Sequence, residues 1–242
     1  MRTPRLTLGL ETSSRLVGVA LVRDGELVGS LERFTRHPQA DDLRQLVEQV
    51  LADARVRWEH VTGLAVSIGP GSFTGLRIGV SFVKGLAAAS GLPIAAVPTL
   101  DVIAQNAWGA RGAVTILLDA KQGQVYAGVY RGLGRGLARC GAPQLGSIDA
   151  LRAQLKRGTL FVGDGVAQYA TALRRLVRRP LIIAPQELWW PRAATVARLG
   201  ASLLARGRRS DPLTLTPLYL YADDCSIKRP LHDTRAIASH VG

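Results

Sequence analysis

Apolar positions fall into short runs and helical stripes that alternate along the chain. Residues 6–10 are a continuous apolar run, the mark of a buried strand; 17–22 form a second. Asp24-Gly25 then gives a hairpin turn signal before a third strand over 26–34. Leu43, Leu46, Val47, Val50, Leu51 and Ala54 recur at helical spacing and predict an amphipathic helix over 40–54. A strand over 61–68, a helix over 74–89, a strand over 93–97 and a helix over 99–108 complete the first half as βββαβαβα. The second half repeats the order. Strands are expected over 113–118 and 124–130, with a weak third at 136–140. A helix over 148–155, a strand over 159–162, a helix over 166–176, a strand over 181–184 and a helix over 193–204 follow.

The repeat implies two lobes: 1–108, then 109–228 with a returning tail, and a flexible polar tail over 229–242. Two tandem βββαβαβα lobes resemble the actin, Hsp70 and sugar-kinase superfamily, whose lobes clasp a nucleotide. That is a likeness of fold and gives no activity by itself.

Composition narrows the picture a little. Hydrophobic residues make up 47% and aromatics only 5%, so Ala, Leu, Val and Gly fill the core. Lys and Arg number 31 against 18 Asp and Glu, a net charge of +13. Such an excess suits an anionic partner such as nucleic acid, and suits equally the arginine enrichment of a GC-rich genome. Cys140 and Cys225 stand far apart with no metal spacing, which points to a reduced, cytoplasmic protein. The apolar stretches are broken by Glu11, Ser90, Pro93 and Pro98, so neither a signal peptide nor a membrane span is expected.

The densest motif is Gly69-Pro70-Gly71-Ser72-Phe73-Thr74-Gly75-Leu76-Arg77-Ile78-Gly79, between a predicted strand and a predicted helix. Ser72 or Thr74 can cap that helix, and its free N–H groups could hold an anion. Gly75 and Gly79, one turn apart, leave a smooth face for another backbone; a tight turn packed inside its own lobe explains them as well. The motif is neither a P-loop nor GxGxxG.

This motif is similar to the signature of the TsaB (YeaZ) family. Glu11-Thr12-Ser13, Pro98-Thr99-Leu100, Asp119-Ala120-Lys121 with Gln124-Val125-Tyr126, Gly163-Asp164-Gly165 and Pro217-Leu218-Tyr219-Leu220 resemble other family segments in order. The resemblance implies a non-catalytic relative of the subunit TsaD. Such a protein pairs with TsaD, helps recruit the ATPase TsaE, and supports transfer of threonylcarbamoyl to the adenosine beside the anticodon of tRNAs reading codons that begin with A. The complex uses ATP and Mg2+; the chain has no cofactor of its own, meets tRNA through the complex, and forms a homodimer when alone. The expected partner interface is Leu43, Val47, Val50, Gly71, Ser72, Phe73, Thr74, Gly75, Arg77 and Gly79.

Glu11, Thr12, Ser13 and Ser14 occupy the hairpin that touches phosphate in kinase relatives, hence a vestigial nucleotide loop. Glu11 stands where the family usually has Asp, and the extra methylene changes its reach. The catalytic relative binds metal through His-x-x-x-His, whereas His37, His60, His232 and His240 include no pair at that spacing, so no metal is expected. Arg174, Arg175, Arg178 and Arg179, with Arg206, Arg208 and Arg209 further on, complement helix C-termini or form a tRNA-facing patch. Two rival readings remain: a nucleotide-dependent transferase or kinase using its own cleft, and a stand-alone tRNA-binding module.

Overall fold

The structure is a computed structural model and describes residues 5–35, 40–134, 136–154, 160–177 and 181–220. The described residues fall into two compact units. One runs to Ile103 and includes Trp190–Leu218; the other is Ala104–Trp189 with Tyr219 and Leu220.

In the first unit, β1 (Leu6–Glu11), β2 (Leu16–Arg23) and β3 (Glu26–Phe34) form an antiparallel meander. Helix α1 (Ala40–Asp53) leads to β4 (Gly63–Gly69), α2 (Phe73–Ser90), β5 (Ile94–Pro98) and α3 (Thr99–Ala104). The sheet order is β3-β2-β1-β4-β5, with β1, β4 and β5 parallel. Alternation sorts the side chains by size. Leu6, Leu8, Leu10, Val17, Val19 and Leu21 join Leu43, Leu46 and Val50 of α1 and Val80 and Val83 of α2 in one core.

The opposite face is built from small residues, and this corrects the expected lobe division. Helix α5 (Ala193–Ala205) lies on the first sheet, not in the second lobe. Its Ala193 and Ala197 pack on Ala20 and Val22, and its Val196 on Ala65, Ala95 and Val97. A Cβ on Gly9 would strike the Ala197 backbone, and one on Gly200 would strike Ala65. Glycine and alanine on both surfaces let helix and sheet approach closely. Glu32 of β3 fixes the helix start: its carboxylate accepts the Ala193 amide at 2.8 Å and pairs with Arg192 at 2.9 Å. The chain then returns along the unit. Ser210 bridges to Ile94, Leu215 is buried, and the Leu218 amide donates to the Ile68 carbonyl at 2.7 Å.

In the second unit, β6 (Arg111–Lys121) and β7 (Gln124–Leu133) form a long hairpin, followed by β8 (Leu137–Arg139) and β9 (Gln144–Gly146), both paired to β7. Then come β10 (Leu160–Val162), α4 (Gly165–Leu176) and β11 (Ile182–Ile183), with β10 parallel to β6 and β11. The helix expected over 148–155 is a correction: among its described residues only a 3-10 turn forms, Arg152–Gln154. Ile148 and Leu151 are one buried i, i+3 pair, enough for a turn but too little to nucleate a helix. The expected α/β class holds: each unit is built on a mixed sheet, of five strands in the first and six in the second. No described helix is long and apolar enough to cross a membrane.

Candidate functional site

In the first unit the site forms where β1 ends and α2 begins. Ser72 caps α2, accepting the Gly75 amide at 3.2 Å, while its own amide donates to the Ser13 carbonyl at 2.7 Å. Gly71, Gly75 and Gly79 share one strip of the helix and its lead-in. A Cβ at these positions would collide with the Ser13 carbonyl, the Thr12 carbonyl and the Thr12 side chain respectively. The glycine strip therefore seats the Thr12–Ser13 turn of its own unit. Thr99 closes the base by accepting the Gly69 amide at 3.1 Å.

Glu11 lies beneath this turn and is 1% exposed. Its Oε1 accepts both the amide and the hydroxyl of Ser13, at 2.5 Å each. Glu11 Oε2 and Thr12 Oγ1 have no hydrogen-bond partner. Burial pushes the Glu11 carboxyl up to about 7, although the Ser13 hydroxyl and amide and the Ser67 hydroxyl favour the charged form. Glu11 therefore keeps its proton up to about pH 7, well above the range where an ordinary carboxyl has lost it.

The second unit repeats the device with the opposite electrostatics. Gly163 and Gly165 bracket the start of α4 and press on the Leu117 and Leu118 backbone of β6. Asp164 between them accepts the Asp119 amide at 3.1 Å. Burial holds the Asp164 carboxyl above its ordinary value. Asp119 pairs with Lys121 at 2.5 Å, and the Tyr169 hydroxyl lies 3.5 Å from its other oxygen. Burial raises Asp119, but hydrogen bonds and the charge of Lys121 outweigh it and hold the carboxyl below its usual range. In the sequence Asp119 and Asp164 stand in two separate motifs, with nothing in either to show that they meet. Lys121 and Tyr169 were missed as their partners; only the Asp119-x-Lys121 spacing signals part of this cluster.

Comparison with known proteins now adds identity. A sequence-family model described as "TsaD: tRNA N6-adenosine threonylcarbamoyltransferase" matches residues 35–211. The tRNA threonylcarbamoyladenosine biosynthesis protein TsaB of Bacillus subtilis (strain 168) is 27% identical over 225 residues, 91% of this chain and 96% of that protein. TsaB of Escherichia coli (strain K12) is 36% identical over 127 residues, 51% of this chain and 54% of that protein. The solved structure of YeaZ from Pseudomonas aeruginosa superposes with a TM-score of 0.78 at 28% identity, covering 89% of this chain and all of that one. The chain belongs to the TsaB (YeaZ) group of the TsaD family.

On this TsaB-type framework the sequence-derived site residues divide. Glu11, Thr12 and Ser13 are buried together, and Ser14 is half-buried at the turn. Leu43, Val47 and Val50 are buried in the unit's own core, and Gly75 and Gly79 under Thr12, with Gly71 partly covered. The five buried ones present no free face, because the first sheet takes the apolar stripe of α1 and the Thr12–Ser13 turn takes the glycine strip of α2. Ser72, Phe73, Thr74 and Arg77 are exposed. Phe73 is 54% exposed and the Arg77 guanidinium lies 4.0 Å from its ring centre, a cation–π pair at the start of α2. Arg174 and Arg175 are exposed in the last turn of α4, while His37, Arg178 and Arg179 lie outside the described residues. Among the described residues, no three His, Cys, Asp or Glu side chains cluster to hold a metal.

Proposed function

We propose that the chain is a non-catalytic partner subunit in the transfer of threonylcarbamoyl to the adenosine beside the anticodon of tRNAs reading codons that begin with A. The observation that carries this reading is the end-to-end likeness to Bacillus subtilis TsaB, which extends over 96% of that protein. In this role the chain pairs with a TsaD-type catalytic subunit and helps recruit a TsaE-type ATPase. It meets tRNA within that assembly, in the cytoplasm. ATP and Mg2+ serve the assembly. The exposed start of α2, with Phe73, Thr74 and Arg77, is the surface on which pairing rests, and the same surface self-associates when the chain is alone.

The test is tRNA modification with purified components, with and without this chain. TsaC-, TsaD- and TsaE-type proteins, tRNA, threonine, bicarbonate and ATP are present in both arms. Product that requires the chain, while the chain alone neither hydrolyses ATP nor modifies tRNA, is the expected result. Full activity without it would overturn the accessory role, and ATP turnover by the chain alone would favour an enzyme acting through Glu11.

A further inference from the structure

The second unit has one end where exposed aromatic and cationic side chains come together. Trp108, just before β6, is 64% exposed, and Leu133, at the end of β7, is 57% exposed. Across the hairpin Arg111 stands opposite Leu133, and Ala113 opposite Arg131. Residues directly opposite in a sheet share a face, and i, i+2 neighbours do too. Arg111, Arg131 and Leu133 therefore emerge on one side, and Ala138 of β8, opposite Arg131, extends it. Arg111, Arg131 and Ala138 are all exposed. Gly136 lies against the Trp108 ring; a Cβ there would sit 3.6 Å from the ring edge. The indole thus rests on a bare backbone and leaves most of its surface to solvent.

The segment of chain that builds this end is poor in acids. Between residues 102 and 148 the sequence has a single acid, Asp119. It sits eight residues along β6 from Arg111, roughly 26 Å at the rise of a strand, and it is engaged by Lys121. Neither Arg111 nor Arg131 has an ion pair among the described residues. A partner must supply both an aromatic or apolar face for Trp108 and negative charge for two unneutralised guanidiniums. Single-stranded nucleic acid offers both in each nucleotide: a base with a π-face and a phosphate.

We infer that Trp108, Arg111 and Arg131 form a platform for an unpaired stretch of RNA, with a base stacked on Trp108 and flanking phosphates on the two arginines. The choice of RNA rests on the role proposed above; the platform does not.

The test is fluorescence anisotropy of the full chain with a labelled single-stranded RNA 12-mer, over a salt series. Trp108→Ala is expected to weaken binding about 5- to 150-fold, the range for loss of one stacked base, and Trp108→Phe to retain most of the affinity. Arg111→Gln with Arg131→Gln should lower the slope of log affinity against log salt by about 1.4. A fully paired RNA stem should bind without responding to Trp108→Ala. All three side chains are exposed, so the variants should melt like the wild type; should Trp108→Ala unfold, the Phe variant and the arginine pair still decide. No measurable affinity, an isotherm unmoved by Trp108→Ala, or an equal loss with the paired stem would overturn the platform. Modification that proceeds without the chain while the Trp108 response persists would overturn only the accessory role. The reverse pattern would overturn only the platform.

Discussion

Glu11 makes a sharp prediction because its burial and its partners fix the sign of a pH effect. Its carboxyl titrates at about 7 in the folded chain, against an ordinary 4.5 in the unfolded one, chiefly because it is out of water. Between those values the folded state holds a proton that the unfolded state has released. Stability therefore falls as pH rises across that window. The contribution is fully present below 4.5 and is lost as pH rises through about 7. The gap between the two values corresponds to about 3 kcal/mol, a large share of the stability of a typical domain. Glu11→Gln removes the titration. It keeps an oxygen to accept the Ser13 amide and hydroxyl, and places an uncharged amide where Oε2 now lacks a partner.

The assay is urea unfolding of wild type and Glu11→Gln in parallel from pH 4.5 to 8.5, and the readout is their difference. Other groups titrate in both proteins and cancel. The wild type should lose about 3 kcal/mol relative to the variant across this range, so that the variant is favoured at the alkaline end. Parallel curves would refute the claim that Glu11 is buried and neutral. A wild type that gains on the variant as pH rises would mean that the folded chain holds Glu11 as an anion.

Three other substitutions test the packing. Gly75→Ala should destabilise the fold by about 1–3 kcal/mol in urea unfolding, because its Cβ would meet the Thr12 carbonyl and force α2 off the turn. No loss would mean that α2 does not rest on Thr12. Glu32→Ala removes the cap and ion pair at the start of α5 and should cost about 1–2 kcal/mol; unchanged unfolding would refute the anchoring of that helix. Phe73→Ala should leave stability within about 0.5 kcal/mol, since the ring is exposed, yet lower co-purification with a TsaD-type partner. Unaltered pairing would remove the start of α2 from the interface.

The first unit was legible because each strand is an apolar run closed by a turn signal. Leu6, Leu8 and Leu10 end at Glu11, and Asp24-Gly25 separates β2 from β3. The second unit blurred where elements are short: β8, β9 and β10 have three residues each and β11 two, too few for any period to show. The sequence pattern also predicted α5 without its destination. The matching small residues, Ala197 with Gly9 and Gly200 with Ala65, lie about 190 and 135 positions apart and pair only in three dimensions. The glycine motif was likewise half legible. Gly71, Gly75 and Gly79 announce that a backbone comes close, but no pattern in them says whose. The unit's own Thr12 and Ser13 take the place that a partner was expected to fill.

What the two units share bears on the absence of chemistry in the proposed role. Each has a carboxylate at or near the end of a central strand, Glu11 closing β1 and Asp119 two residues before the end of β6, with glycines at a helix start pressed on the backbone close by. A carboxylate that positions a metal-bound water must be charged and reachable. Glu11 is sealed under Thr12 and Ser13, and burial favours its proton. Asp119 is charged, but Lys121 already supplies its cation and Tyr169 lies beside it. In one unit burial favours the protonated acid, and in the other an ammonium group pairs with the charged one. Two unlike routes thus hold an acid at or near the end of a central strand with groups of its own unit.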